Sequence, residues 1–521
     1  MNQLHRIAAW TLALLVTAAA CYLLYLSLDN PVRADLAMLH YSGYLMQEKG
    51  FLLYRDILEI NFPAPFLLHQ WLGSFIGYEA LPLRLLDFAS IALMAFLSWR
   101  ILKPLSPASA VLAPALFVLF YQMNGAEYTL ERDYLVVFPS ALAFLCACSS
   151  QLRHNTVALL VGALCGIACS IKPNAIVLAP AAFAVWAVQN PVLRQPVLFI
   201  RMACISALVF LLTLAVPFVV IQQQGVLQDF LELYRTFLPI YARTRYDLYH
   251  YANASEYWTT LVRNYGLYGG ISVLLAAPGL LWAGMNLPDR TRVYQLAIMV
   301  FAFTLYEVIA GKFWASHMMP SAYWTLVGFS LLVIPLKSVT PVKSVTPIKS
   351  AIPSHTTRMR SVIAATGLLM VASLGTVLSY ASLLQMQAYV DQQQQGNNRA
   401  TKVARYLRDN LRAGDTVQTL DYAGDGQACL LESRATVATR FLIDVPLYLQ
   451  PDSPATQALR KEFMASLAAK PPTFIVYFEN MLHPGGGNRL REVRELYGLI
   501  EDRYSVDSIS EGEYTIYRLT R

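Results

Sequence analysis

Long apolar runs separated by short polar connections recur along most of this chain. Each run has about 17 to 24 residues, the length that an α-helix needs to cross the hydrocarbon core of a bilayer. The runs lie at 7–28, 83–102, 108–123, 134–150, 156–171, 174–190, 198–221, 266–285, 293–309, 317–336 and 362–384. The pattern predicts a polytopic α-helical membrane protein with about eleven spans.

The pattern changes after residue 384. A polar Gln/Asn-rich stretch leads into sequence with the mixed periodicities of a soluble domain. This sequence predicts helices at 400–411 and 488–497 and strands at 416–420, 473–478 and 514–519. The chain therefore divides into a membrane domain, 1–384, and a small C-terminal α/β domain, 385–521.

A short repeat precedes the last predicted span. Its copies read KSVTPV, KSVTPI and KSAIPS, and each contains a proline, which blocks a continuous helix. We interpret 337–361 as a flexible cytoplasmic linker expanded by duplication. A binding motif is the alternative.

Composition agrees with a membrane protein, since 56% of the residues are hydrophobic, 14% are charged and the mean hydropathy is +0.43. The formal net charge of +7 would also suit a nucleic-acid-binding protein. However, the basic residues are scattered over short connections between spans, where membrane topology accounts for them. We therefore expect contact with membrane lipids and no nucleic-acid partner.

The same basic residues predict the orientation. With a cytoplasmic N-terminus, the inner connections are rich in Lys and Arg and hold a single acid, Asp289, as the positive-inside rule requires. The first apolar run then serves as an uncleaved signal anchor. An odd number of spans places the C-terminal domain on the outer, periplasmic or extracellular, face. The loops on that face are 29–82, 124–133, 222–265 and 310–316. The compact loops favour a bacterial inner membrane.

Acidic residues are concentrated in the first two outer loops. Asp35 and Asp56 lie in the first loop, and Glu131 and Asp133 lie in the second. Carboxylates from separate loops on one face can converge to act as a general base on an acceptor hydroxyl or to bind a divalent cation through oxygen ligands. The alternatives are a helix cap at Asp35 and a solvated turn at 131–133.

Basic residues and tyrosines supply the opposite charge on the same face. Arginine offers two parallel donors to a phosphate, and aromatic faces can stack on sugar rings. The candidates for binding a lipid-linked phosphate are Arg55, Lys172, Arg243, Arg245, Lys312 and His317. The alternatives are an interfacial aromatic belt, a snorkelling Lys172 and a structural interfacial His317.

The soluble domain contains no glycine-rich phosphate loop between a strand and a helix, because Gly485-Gly486-Gly487 does not stand at such a turn. We therefore expect no nucleotide-binding site. The sequence leaves the cofactor undetermined, with a divalent metal ion as the candidate.

Several short motifs along the chain resemble those of a known superfamily. The first loop reads RADLAML from Arg33, then LYRD from Leu53 and NFP from Asn61. Later matching segments are Ser170–Pro173, Gly311–Pro320 and Ala404–Val417. Together they resemble the GT-C superfamily of integral membrane glycosyltransferases, which includes the protein O-mannosyltransferases and the aminoarabinose transferases of lipid A.

The resemblance implies transfer of a sugar from a polyprenyl-phosphate donor to a hydroxyl or amine of a lipid, glycan or protein acceptor, with inversion. It implies a catalytic or metal-associated role for Asp35. The family commonly has a second acid at the next position, which is Leu36 here. Glu131 and Asp133 are therefore the candidates for the second carboxylate.

Two other functions remain open at this point. The first is transport or flipping of a lipid-linked saccharide, although few of the predicted spans carry the mid-membrane ionisable residues that a transporter needs. The second is an inactive scaffold that binds a partner enzyme through 385–521.

Overall fold

The computed structural model describes residues 2–190, 193, 195–243, 253–335, 355–394, 398–421, 424–479 and 486–520. Its N-terminal part is helical. The helices are α1 (Asn2–Leu26), α2 (Ala34–Glu48), α3 (Ala64–Ile76), α4 (Ala80–Leu102), α5 (Pro107–Met123), α6 (Arg132–Leu135), α7 (Val137–Ala147), α8 (His154–Ile171), α9 (Leu178–Gln189), α10 (Pro196–Gln223), α11 (Leu227–Thr236), α12 (Leu238–Ala242), α13 (Ala254–Asn286), α14 (Thr291–Ala310), α15 (Met319–Phe329) and α16 (His355–Gln394).

Each predicted span falls on a helical segment. In the described part of the chain, seven helices are individually long and apolar enough to cross a bilayer: Gln3–Asp29, Ala80–Leu102, His154–Ile171, Pro196–Gln223, Ser255–Asn286, Thr291–Ala310 and Ser361–Ala388. The spans predicted at 108–123 and 174–190 correspond to shorter apolar helices. The predicted fold class, a polytopic helical membrane protein, is confirmed.

Two predicted spans are divided in the structure. The segment 134–150 contains the end of α6 and all of α7, and 317–336 contains α15 followed by a 3₁₀ turn at Ser330–Val333. The last helix, α16, continues past the predicted boundary at 384 to Gln394, because glutamine is a good helix former. Most of the linker predicted at 337–361 lies outside the described residues.

The C-terminal part contains a five-stranded sheet with the strand order β2-β1-β3-β5-β4. Strands β2, β1 and β3 are parallel to one another. Strand β5 is antiparallel to β3, and β4 is antiparallel to β5. The strands are β1 (Thr416–Leu420), β2 (Thr436–Val437), β3 (Phe474–Phe478), β4 (Tyr504–Ser510) and β5 (Tyr514–Leu519), and the helices are α17 (Arg399–Asn410), α18 (Asp425–Ser433), α19 (Pro454–Ala469) and α20 (Arg494–Arg503). The small α/β domain is therefore confirmed.

The three predicted strands and the first predicted helix of this domain are present as β1, β3, β5 and α17. The helix predicted at 488–497 is wrong in its bounds, because the backbone leaves helical geometry at Val493 and α20 starts only afterwards. Edge strand β4 was not predicted, since most of its residues are exposed and it lacks the apolar run that marks a buried strand.

The C-terminal domain packs directly on the segment 29–82, which contains α2. The Tyr41 hydroxyl of α2 donates to the Ala435 carbonyl at 2.8 Å and accepts from the Val437 amide at 3.0 Å. At the start of α2, a Cβ added to Gly424 would lie 2.8 Å from the Cα of Ala34. The domain therefore contacts the helix that carries Asp35 at two places.

We expect Gly424→Ala to weaken this packing more than Gly414→Ala does. Both glycines have a left-handed backbone, with φ of 97° and 91°, so each substitution costs about 1–2 kcal/mol of conformational strain. Only the alanine at 424 also meets Ala34, because nothing lies within 4 Å of the Cβ position at Gly414. The measurements are the thermal unfolding temperature and limited proteolysis of the C-terminal domain in detergent.

Gly414→Ala is the matched control for the conformational strain that an alanine causes at a positive φ. Equal losses of stability in the two variants would contradict a structural role for the contact between Gly424 and Ala34.

Candidate active site in the outer loops

Strained backbone flanks four of the predicted site residues. Ala34 (φ 48°), Tyr54 (φ 70°) and Leu130 (φ 49°) precede Asp35, Arg55 and Glu131, and Phe313 (φ 53°) follows Lys312. A non-glycine residue in this region costs about 1–3 kcal/mol and persists where the surrounding structure holds it, often at functional sites. The strain marks the same loops that the sequence predicts to be functional.

Asp35 lies in the first turn of α2 and pairs with Arg132 of α6. Their side chains meet at 2.5 Å, and that of Asp35 is 35% exposed whereas that of Arg132 is 8% exposed. Burial tends to raise the pKa of Asp35, but the charge and hydrogen bond of Arg132 outweigh it and lower the pKa below its ordinary value. Asp35 is therefore an ionised carboxylate that a substrate can reach.

Asp133 forms a second, deeper pair with Lys172, at the end of α8. The Lys172 Nζ donates to Asp133 at 2.7 Å, and the Asp133 side chain is fully buried. The hydroxyl of Tyr306, in α14, donates to the other carboxylate oxygen. Burial opposes ionisation of Asp133, but the charge of Lys172 and the hydrogen bonds from Lys172 and Tyr306 lower its pKa. Lys172 therefore does not snorkel to the lipid surface. Asp133, through its bonds to Lys172 and Tyr306, links α6 to the end of α8 and to α14.

Glu131 lies between these two pairs. It is 5% exposed, and its Oε2 has no hydrogen-bond partner among the described residues. Burial, together with the negative charges of Asp133 and Asp35, raises its pKa well above the ordinary value. A hydrogen bond from the Glu131 carboxyl is among the causes that lower the pKa of Asp35. Two neighbouring carboxyl groups whose pKa values are shifted in opposite directions are typical of acid-base sites.

Two basic candidates of the late outer loop are also buried. Lys312 donates from Nζ to the Tyr241 carbonyl at 2.8 Å and lies 4.7 Å from the Tyr241 ring centroid. Burial lowers the pKa of Lys312 to about 7. His317, the first residue of the predicted span 317–336, is buried, and its Nδ1 has no hydrogen-bond partner among the described residues.

Other candidates from the first loop have partners outside this cluster. Arg55 bonds to the Gly225 carbonyl at 2.7 Å and to Asp229 at 2.9 Å, and its side chain is 47% exposed. Asp56 accepts from the Leu52 amide at 2.8 Å and so caps a local turn. The structure does not bring these two residues into the carboxylate cluster.

The tyrosine-rich loop, 222–265, is described at 222–243 and 253–265. Arg243 is exposed at the end of α12, and Arg245 lies outside the described residues. Tyr241 approaches the cluster, since its environment includes Asp35, Arg132 and Glu131.

The acids are neutralised by protein side chains. In the described part of the chain, no group of three or more His, Cys, Asp or Glu side chains has the arrangement of a metal site. A divalent cation at Asp35 or Asp133 would have to displace Arg132 or Lys172. Arg132 and Tyr306 were not predicted as site residues. Tyr306 lies in the predicted span 293–309 directly before Glu307, and this ionisable residue within a span was the signal that could have drawn attention to it.

Similarity to known proteins is visible in the fold. No family model and no curated protein matches the sequence. The structure is similar to ArnT from Cupriavidus metallidurans, bound to undecaprenyl phosphate and in the apo state. Each comparison has a TM-score of 0.56 and 15% identity, and covers 97% of this chain and 97% of the other. The apo oligosaccharyltransferase of Archaeoglobus fulgidus has a TM-score of 0.46 and 12% identity, over 90% of this chain and 69% of that chain.

The similarity to ArnT extends over nearly the whole chain, including the C-terminal domain. ArnT belongs to the GT-C superfamily of membrane glycosyltransferases. The resemblance predicted from the sequence motifs is therefore confirmed at the level of the fold.

Proposed function

We propose that this chain is an integral membrane glycosyltransferase. It transfers a sugar from a polyprenyl-phosphate donor to a lipid, glycan or protein acceptor on the extracytoplasmic face, with inversion. The observation that carries the proposal is the reachable, ionised Asp35, held by Arg132 beside Glu131, whose pKa is raised by burial. The fold adds support, because the similar ArnT was crystallised with undecaprenyl phosphate, the kind of product that such a donor releases.

Asp35 is the proposed general base. It accepts the proton of the acceptor hydroxyl or amine while the acceptor oxygen or nitrogen attacks the anomeric carbon. The bond from the anomeric carbon to the phosphate oxygen breaks, and its electron pair leaves with the polyprenyl phosphate. Glu131 orients the Asp35 carboxylate through a hydrogen bond.

Charge must also be stabilised on the leaving phosphate. Lys312 is the proposed source of positive charge, because this buried lysine bonds to Tyr241, which lies beside Asp35 and Arg132. His317 is a candidate hydrogen-bond donor to the same phosphate. No step of this mechanism requires a nucleotide.

The proposed location is the bacterial inner membrane, with the N-terminus in the cytoplasm and the C-terminal domain in the periplasm. The basic inner connections and the short loops support this orientation. Alkaline phosphatase fused after Arg521 should be active in cells, and an inactive but expressed fusion would refute the orientation.

The reaction can be tested with the purified full-length protein in nanodiscs. Synthetic polyprenyl-phosphate sugars are added with candidate lipid acceptors, and mass spectrometry measures both the glycosylated product and the released polyprenyl phosphate. Release of both supports the proposal. Movement of a labelled sugar lipid across liposomes with no product would instead indicate a flippase.

The pKa of Lys312 predicts a pH dependence for donor binding. The burial-lowered pKa of about 7 means that Lys312 loses its charge as the pH rises through neutrality. The donor is a phosphodiester and stays anionic, so we expect its KM to rise across this range. Lys312→Arg should keep a low KM to higher pH, because arginine remains protonated.

The same loss of charge should weaken donor binding but stabilise the folded protein. Between about pH 7 and the ordinary lysine value of 10.5, the unfolded chain binds more protons than the folded one at this position, so the free energy of unfolding should rise with pH. The measurements are donor KM and thermal unfolding between pH 6 and pH 9. A KM that is equally pH-dependent in wild type and Lys312→Arg would rule out Lys312 as the phosphate contact.

A further inference from the structure

One face of α4 carries polar residues at every third position. Arg84 and Asp87 are each 1% exposed, and Ser90 is half-buried. Residues three apart lie on the same side of a helix. A buried polar stripe in an otherwise apolar span is costly unless each member has a partner, and the partners of this stripe lie next to the candidate active site.

Arg84 holds the segment that leads to Asp35. Its Nε donates to the Asn30 carbonyl at 2.9 Å, and its Nη2 donates to the Pro31 carbonyl at 2.5 Å. The planar guanidinium thus fixes two successive peptide groups. The chain then passes through the left-handed Ala34 directly into the first turn of α2.

Asp87 holds the segment that leads to Glu131, through Tyr121 of α5. The Tyr121 hydroxyl donates to the Asp87 carboxylate at 2.8 Å and accepts from the Leu130 amide at 2.7 Å. Leu130 is the left-handed residue that precedes Glu131. A buried phenol bonded on both sides can therefore hold this strained backbone in place.

Ser90 reaches the other end of the same loop. Its hydroxyl lies 2.9 Å from that of Tyr134, which is fully buried and directly follows Asp133. The stripe on α4 is therefore tied to the backbone before Asp35, to the backbone before Glu131 and to the residue after Asp133.

We propose that Arg84, Asp87 and Ser90, with the hydroxyl of Tyr121, are positioning residues that set the separation between Asp35 and the Glu131–Asp133 segment. This inference rests on the proposed glycosyltransferase function for its effect on turnover. None of these side chains touches the reacting atoms in the proposed mechanism. Their loss should therefore lower kcat and leave donor KM nearly unchanged.

The test compares Tyr121→Phe with Tyr323→Phe in the full-length protein. Both tyrosines are almost fully buried, and each hydroxyl bonds to a residue of α4, but Tyr323 bonds to Ser98 at 3.0 Å. The Tyr323 hydroxyl thus serves as a matched control with no bond to an outer loop. Hydrogen exchange of the 124–131 segment is followed by mass spectrometry, together with thermal unfolding and donor turnover.

Tyr121→Phe should speed amide exchange in 124–131 and lower kcat about 10- to 100-fold, the size expected when a catalytic group is misplaced by about 1 Å. Tyr323→Phe should lose similar thermal stability but change neither quantity. Unchanged exchange in Tyr121→Phe would overturn the inference whatever the turnover. Faster exchange with wild-type kcat would also overturn it, whereas absence of transfer in the wild-type protein would refute only the glycosyltransferase proposal.

A second pair of variants separates position from charge. Asp87→Asn keeps an oxygen that can accept from Tyr121, and Asp87→Leu does not. We expect the asparagine variant to retain most of the kcat that the leucine variant loses. Equal losses in the two variants would contradict positioning through this hydrogen bond.

Discussion

Replacement of Asp35 by asparagine is expected to lower sugar transfer by about 10²- to 10⁴-fold, the contribution of a positioned general base. Asparagine has nearly the same shape and can still accept a hydrogen bond from Arg132, so the loop should keep its conformation. It cannot take the proton of the acceptor. The measurement is the rate of polyprenyl phosphate release at saturating donor, with thermal unfolding as the check on folding.

Glu48→Gln is the matched control for this variant. Glu48 is the last residue of α2, is exposed, and carries the same charge at the opposite end of the helix. Its rate should stay near that of the wild type. If Asp35→Asn also retained wild-type turnover, Asp35 could not be the base, and Glu131 would be the next carboxyl group to test.

Much of the fold follows from local sequence. Hydropathy is a property of each segment alone, so the apolar runs predict helices at every span, and the shift in composition after 384 predicts the soluble domain. The predicted bounds of the spans were less accurate where one apolar run contains two helices, as at Val136, where α6 meets α7. Strand β4 was missed because its exposed residues carry no burial signal.

The candidate site was predictable in part. Asp35 and Lys172 stand out as charges at the ends of spans, but their partners, Arg132 and Asp133, come from a distant loop. Sequence position could not show that Arg55 points instead to Asp229, since residues of one loop can face different neighbours. Pairing is set by tertiary packing.

The charges of the cluster are balanced pair by pair. Asp35 has Arg132 and Asp133 has Lys172, while burial and the two neighbouring carboxylates raise the pKa of Glu131 and so favour its neutral form. Burying an unpaired carboxylate would cost free energy. Of the two pairs, Asp133–Lys172 is the deeper, and its disruption should therefore cost more stability.

Lys172→Met is expected to destabilise the protein by about 3–5 kcal/mol, the penalty for leaving one partner of a buried ion pair uncompensated. Lys172 is 11% exposed and Asp133 is fully buried, so water cannot replace the lost charge. The control is Arg55→Met at the Arg55–Asp229 pair, whose side chains are 47% and 32% exposed. An exposed pair contributes about 0–1 kcal/mol.

The double variant Lys172→Met/Asp133→Leu tests whether the loss comes from the unpaired charge. Removing both charges should recover most of the thermal stability lost in Lys172→Met, because no buried carboxylate remains without a partner. Turnover should stay low, since Asp133 and Tyr306 would no longer fix the loop beside Glu131. A Lys172→Met protein that unfolds no earlier than Arg55→Met would show that this pair is solvated and does not hold the active-site loops together.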